Sequence, residues 1–147
     1  MAPIEAARLL ALSGMCAVIW SALLGVLMLV PLQPWAAGRI SVNMRQLGAA
    51  HLDWIMLGLY QGLCAGVVVL FALAPSAWIV IALMIGAWLN PVSYVFRAFG
   101  VNAFAFAGGG PQKLAAALGA ISSALILSAS AALAAQAALA AAQPQLS

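Results

Sequence analysis

"RQLGAAHLDWIMLGLYQGLCAG", residues 45–66, is an apolar run of the length that an α-helix needs to cross a lipid bilayer. It contains the only histidine of the chain, His51, and the only acidic residue besides Glu5, which is Asp53. A charged side chain at mid-membrane costs about 2.5–3.5 kcal/mol on insertion scales. Polar side chains in such a run are therefore the first candidates for functional residues.

The whole chain has the composition of an integral membrane protein. Of its 147 residues, 67% are hydrophobic and 5% are charged, and the mean hydropathy is +1.17, far outside the range of soluble domains. The net charge of +3 comes from five basic and two acidic residues, too few for a nucleic-acid surface, so we expect lipid headgroups as the charged partner. Cys16 and Cys64 show no metal-binding spacing, and we interpret both as small core residues.

Four runs are long enough to span a membrane, at roughly 20 apolar residues per crossing. They cover about residues 8–30, 49–74, 77–96 and 111–142 of a single membrane domain, 1–147. The first run is longer than the apolar part of a signal peptide, so we interpret it as a retained helix. The sequence therefore predicts an all-α membrane protein with a four-transmembrane-helix bundle.

The basic residues predict how the bundle is oriented. Four of the five lie in or beside the two long connections: Arg39, Arg45, Arg97 and Lys113. The positive-inside rule then places both long loops in the cytoplasm and both termini outside. We expect a multi-pass protein of a bacterial inner (cell) membrane.

Helical geometry separates the polar residues of the second run. His51, Gly58, Gly62 and Gly66 share one face, whereas Asp53 lies about 200° around the helix from His51. The glycine ridge has two interpretations: close packing of a neighbouring helix, or a floor for a flat haem whose iron His51 binds. The geometry excludes a direct pair between His51 and Asp53.

The haem interpretation has further consequences. Arg39 and Arg45, in the adjoining loop, are candidates to meet the haem propionates. A single histidine gives a five-coordinate iron with one open face. The alternative, that His51 is an ordinary hydrogen-bonding group, also stays open. For Asp53 we expect a salt bridge to Arg45 or Arg97.

The third run carries a polar stripe of its own. Asn90, Tyr94 and Arg97 follow one another at helical spacing, and Pro91 between them removes a backbone hydrogen bond. Such a stripe serves either hydrogen bonding between helices or a pocket whose amide and phenol orient a small polar substrate.

Two fragments resemble a known family. "AAHLDWIMLG", residues 49–58, and "WLNPVSYVFRAFG", residues 88–100, are similar to the small four-helix membrane isomerases that include styrene oxide isomerase and hydroxylaminobenzene mutase. The first fragment looks nearer to the mutase branch, with an acidic residue two positions after the histidine and a glycine seven after it. The other two runs match only by length and hydropathy.

The resemblance implies a function and a cofactor. His51 takes the position of the axial ligand of a haem b that the isomerase branch binds between protomers of a homotrimer. Ferric iron there acts as a Lewis acid that rearranges an aromatic epoxide to an aldehyde, a Meinwald rearrangement; the mutase branch rearranges an aryl hydroxylamine. Asn90 and Tyr94 match the family's asparagine and tyrosine, which implies that they orient a small aromatic substrate as catalytic residues. Gly58 and Gly62 would then floor the haem.

Two departures keep other functions open. Leu57 stands where both branches have an asparagine, and Gly86 stands where the isomerase branch has an aspartate. A non-catalytic haem protein, either a sensor or a carrier, is therefore the alternative to a membrane isomerase. A small transporter or interaction subunit ranks last, because a proton-coupled exporter needs a carboxylate at membrane depth.

Overall fold

The computed structural model describes residues 1–36, 39 and 41–143, and within these residues the chain is helical, without strands. The α-helices are α1 (Pro3–Leu27), α2 (Met44–Leu70), α3 (Ala77–Leu89), α4 (Val92–Ala98) and α5 (Gly110–Ala142). Since α3 and α4 together form one span, the described chain has four segments that are long and apolar enough to cross a membrane. The predicted four-span, all-α fold of a multi-pass membrane protein is confirmed. Residues 144–147 of the predicted domain lie outside the described part.

The helix ends differ from the predicted ones by a few residues. α1 already begins at Pro3, where a proline suits the first turn, and a short 3-10 turn, Val30–Leu32, follows its end. α2 begins at Met44 because the Asn43 side chain caps the helix, accepting a hydrogen bond from the backbone N–H of Gln46 at 3.3 Å. Hydropathy places this start too late, since a cap is polar and lies outside the apolar run.

Glycines allow two close helix contacts. A Cβ added at Gly14 would lie 2.5 Å from the carbonyl oxygen of Gly58, so α1 and α2 meet backbone to backbone. A Cβ at Gly86 would lie 2.7 Å from Ile126 Cγ1 and 3.0 Å from the carbonyl oxygen of Ser122, so α3 also packs closely on α5. Small residues at such crossings are typical of membrane bundles, where close van der Waals contact holds helices together.

Apolar side chains fill the bundle and also cover its outside. The main core cluster includes Leu10, Val68 and Leu83, which come from α1, α2 and α3, and α5 adds Leu133. Large apolar side chains are exposed on every span, as expected of a surface that faces lipid. The two cysteines differ: Cys64 is buried, but Cys16 is exposed, which corrects the prediction that both are core residues.

Two hydrogen bonds link the connections at opposite ends of the bundle. The N-terminal amine of Met1 donates to the carbonyl oxygen of Pro75 at 3.2 Å, which ties the N-terminus to the α2–α3 turn. The backbone N–H of Asn43 donates to the carbonyl oxygen of Ala98 at 2.9 Å, which ties the α1–α2 connection to the end of α4. The two long connections therefore lie at the same end of the bundle.

Candidate functional site

His51 is held against α1 by one residue, Ser21. The Ser21 hydroxyl donates to the backbone carbonyl of His51 at 2.5 Å, while His51 Nδ1 lies 2.8 Å from both Ser21 Oγ and the Ser21 carbonyl oxygen. A hydroxyl has one hydrogen, so Ser21 Oγ faces Nδ1 as an acceptor, and the carbonyl accepts as well. Nδ1 is therefore the nitrogen that carries the hydrogen, and Nε2 of the neutral ring holds the free lone pair.

The imidazole lies over a glycine. A Cβ added at Gly25 would stand 3.1 Å from His51 Cε1, so a side chain there would require the ring to shift by a few tenths of an ångström. Nε2 makes no hydrogen bond to any described residue, and it is not among the buried polar atoms that lack a partner. The nitrogen with the free lone pair is thus open at the bundle surface.

The sequence contained a signal for this partner. Ser21 is the only hydroxyl residue in the second half of α1, and Gly25 follows it by one helical turn. A serine and a glycine at this spacing predict a face that can approach another helix closely. The sequence alone does not identify His51 as the side chain that fills this face.

The helix α1 covers only part of the glycine ridge that follows His51 on α2. A Cβ at Gly58 would meet the carbonyl oxygen of Gly14 at 2.7 Å and Val18 Cγ2 at 2.9 Å, so the packing interpretation holds there and a flat group has no room. At Gly62 and Gly66 a Cβ would meet no described atom within 4 Å. Gly62 lines an apolar groove of about 490 Å³ between α1 and α2. At about 1.5 Å per residue, Gly62 is roughly 16 Å along the helix from His51.

Asp53 belongs to a hydrogen-bond network on another side of α2. Asn90 Nδ2 donates to Asp53 Oδ2 at 2.7 Å, and the Ser122 hydroxyl donates to Asn90 Oδ1 at 3.0 Å. The network joins α2, the end of α3 and α5 through neutral and acidic side chains. It also confirms that Asp53 points away from His51, as the helical spacing predicted.

The predicted salt bridge of Asp53 is wrong. Its carboxylate accepts from Asn90 instead, and the guanidinium carbon of Arg97 lies 4.4 Å from the centre of the Phe104 ring in a cation–π contact. Arg45 is exposed in the first turn of α2, and Arg39 is exposed in the preceding connection. Asn90 is the last residue before Pro91, at the C-terminal end of α3, and both residues keep helical backbone dihedrals.

A cavity of about 340 Å³ lies between α4, α5 and the connection that joins them. Asn90 and Tyr94 of the predicted stripe both line it, whereas Arg97 does not. The Tyr94 ring packs edge-to-face on Phe104 with centroids 5.7 Å apart. The remaining lining residues are small, aromatic or hydroxyl-bearing: Ser93, Ala103, Phe106, Ala116, Gly119, Ala120 and Ser123.

The histidine and the cavity lie on different sides of α2. His51 contacts Ser21 and Gly25 of α1, whereas Asp53 bonds to Asn90, at the rim of the cavity. The structure therefore does not bring the predicted haem ligand and the predicted substrate-orienting residues into one site within a single chain.

Removal of the network is expected to reduce stability modestly. Asn90→Leu loses both hydrogen bonds and should lower the free energy of unfolding by about 1–2 kcal/mol, because hydrogen bonds within membrane bundles average roughly 0.6 kcal/mol and reach about 1.7. Asp53→Ala should cost about half as much. Thermal unfolding in detergent measures both, with Glu5→Ala, the other acidic residue and an exposed one, as the control. An unchanged midpoint for Asn90→Leu would show that the network does not stabilise the bundle.

Comparison with known proteins finds no matching family model, no matching curated protein and no matching solved structure. Among the described residues, no group of three or more His, Cys, Asp or Glu side chains forms a cluster suited to a bare metal ion. A macrocycle that brings its own nitrogens needs only one axial side chain.

Proposed function

We propose that this chain is a haem b-binding membrane isomerase in which His51 is the axial ligand of the iron. The observation that carries the proposal is the pair of acceptors on Nδ1, the carbonyl and hydroxyl oxygens of Ser21. Metal-binding histidines characteristically donate their second ring N–H to such an oxygen, which sets the tautomer and the ring orientation. A histidine kept only for helix packing would not need Nε2 left free at the surface.

The donor set fits a haem. His51 offers a neutral imidazole nitrogen at an apolar surface, and Arg45 stands six residues earlier on the same helix, about 9 Å along its axis. Arg39 and Arg45 are exposed and form no ion pair with the described residues, so their charges are free to meet propionates. Gly58 is excluded from the floor of the haem by α1, and Gly62 lies in the groove further along. A haem held by these residues would supply Lewis-acid chemistry for an epoxide or N-hydroxyl oxygen.

The chain's own residues bind and orient the substrate. The cavity presents the Asn90 amide and the Tyr94 phenol among aromatic and small side chains, which suits a small aromatic molecule with one polar group. His51 lies on the side of α2 that packs on α1, away from the cavity. The proposed enzyme therefore requires a homo-oligomer in which the cavity of one copy faces His51 of the next. The family resemblance makes this oligomer a trimer. Its place is a bacterial inner membrane, with the two long connections in the cytoplasm by the positive-inside rule.

The test is a spectrum followed by turnover. Protein made with ample haem and purified in detergent should show a Soret band, and it should convert styrene oxide to phenylacetaldehyde or phenylhydroxylamine to an aminophenol. Absence of the band would overturn the cofactor and with it the proposed reaction. Heat-treated protein is the control for spontaneous rearrangement of either substrate.

A non-catalytic haem protein is the second candidate. The isomerase branch has an aspartate at the position of Gly86, and here α5 packs so closely that even a Cβ would lie 2.7 Å from Ile126. No longer side chain fits there without moving α5. A Soret band without turnover of either substrate would favour this candidate, a sensor or a carrier of haem.

A further inference from the structure

We propose that Ser93 and Gly119 form the polar floor of the α4–α5 cavity, where the Ser93 hydroxyl binds the oxygen of a neutral aromatic ligand. This inference deepens the proposed function and rests on it for the cavity's role as the substrate site. The binding itself needs no haem, so the two can fail separately.

The Ser93 hydroxyl is a buried group with unused hydrogen-bonding capacity. Ser93 is 2% exposed, and its Oγ has no hydrogen-bond partner among the described residues, although the side chain lines the cavity. Buried hydroxyls are nearly always paired, with protein or with another molecule.

Gly119 leaves the space beside that hydroxyl free of a side chain. A Cβ at Gly119 would stand 2.7 Å from Ser93 Oγ, and Gly119 itself lines the cavity. The neighbouring Asn90 amide already donates one hydrogen bond to Asp53 and accepts one from Ser122, which fixes its orientation. Ser93 adds a second polar group beside it, and its hydroxyl has no such bond.

The lining specifies the class of ligand. The groups that face the cavity are aromatic rings, small apolar side chains and neutral polar groups, and none is charged. The guanidinium of Arg97 does not line the cavity and makes a cation–π contact with the Phe104 ring. A charged ligand would enter without a counter-charge, which is costly away from water. The site thus selects a single neutral aromatic ring that carries one hydroxyl or ether-type oxygen.

The test compares two probes on the full chain in lipid nanodiscs by 19F NMR titration. The first probe, 4-fluorobenzyl alcohol, carries the oxygen, and the second, 4-fluorotoluene, lacks it. Ser93→Ala removes the hydroxyl, and Gly119→Ala fills its space. The matched controls are Ser128→Ala, an exposed serine whose hydroxyl donates to the carbonyl oxygen of Ala124, and Gly110→Ala at the start of α5, where a Cβ meets nothing within 4 Å.

We expect saturable binding of the alcohol to the unmodified protein and to both controls. Ser93→Ala should lower the affinity for the alcohol about threefold to tenfold, which is the usual effect of one hydrogen bond. The affinity for the toluene should stay unchanged. Gly119→Ala should weaken both probes more than tenfold. Ala120→Leu, which fills the same cavity from an exposed position of α5, serves in its place if Gly119→Ala does not fold.

Two results would overturn the inference. One is the absence of saturable binding beyond partition into the lipid; the other is an equal response of the two probes to Ser93→Ala. A protein with a Soret band and no saturable probe binding would refute this site and leave the haem proposal standing. Probe binding without a Soret band would do the reverse.

Discussion

The His51→Ala protein is expected to lose the Soret band completely. Removal of the only imidazole leaves the proposed iron without an axial ligand, and no other histidine in the chain can replace it. Absorption spectra of detergent-purified protein, reconstituted with equal amounts of haem, provide the measurement. Circular dichroism should show the same helix content as the unmodified protein, because His51 packs over a glycine at the surface of the bundle.

Two further variants separate ligation from packing. His51→Gly supplemented with free imidazole should recover the band, since the small ligand can occupy the vacated position. Ser21→Ala keeps the carbonyl acceptor of Nδ1 and loses only the hydroxyl, so haem affinity should fall by about 10-fold or less, the lower end of the effect of such supporting contacts. A His51→Ala protein that retains both haem and activity would disprove the assignment of the ligand.

Gly14→Leu is expected to separate α1 from α2. A Cβ at this position already stands 2.5 Å from the backbone oxygen of Gly58, and backbone cannot yield as a flexible side chain can. Overpacking of a well-packed interface costs typically 1–3 kcal/mol, and a leucine against backbone should exceed about 3 kcal/mol. Size-exclusion chromatography in detergent should show little monodisperse protein, and the thermal midpoint of the remainder should fall.

The matched control is Gly62→Leu, on the same face of α2 as Gly58. A Cβ there meets no described atom within 4 Å, so the leucine should be tolerated. Gly14→Ala should give an intermediate loss of stability. Equal behaviour of Gly14→Leu and Gly62→Leu would mean that α1 does not pack on α2 through Gly14 and Gly58.

The gross fold followed from local properties of the chain. Hydropathy set the number of spans, since each crossing needs a fixed length of apolar chain. Helical periodicity placed His51 and Asp53 on different faces, because about 100° per residue holds wherever the helix packs. It likewise placed Asn90 and Tyr94 at one pocket, even though Pro91 breaks the helix between them.

The partners of those residues did not follow from the sequence. Periodicity gives Gly58 and Gly62 the same face, yet α1 covers Gly58 and leaves Gly62 open, because two crossing helices touch over a limited length. The sequence places Arg45 and Arg97 near the same membrane interface as Asp53. The Asp53 carboxylate nevertheless accepts its hydrogen bond from the Asn90 amide. Charge complementarity could not reveal that Asn90, a neutral side chain at the end of α3, is the partner of Asp53.

Residue order thus establishes a four-span membrane protein and places its histidine, Asp53 and the polar stripe on defined helix faces, since hydropathy and helical rotation act over neighbouring residues. Tertiary packing pairs His51 with Ser21, connects Asp53 to Asn90, and leaves Ser93 Oγ without a described partner beside Gly119. The two bonded pairs join residues 30 and 37 positions apart. They depend on which helices cross and how closely, and small residues scattered over several helices set that distance together.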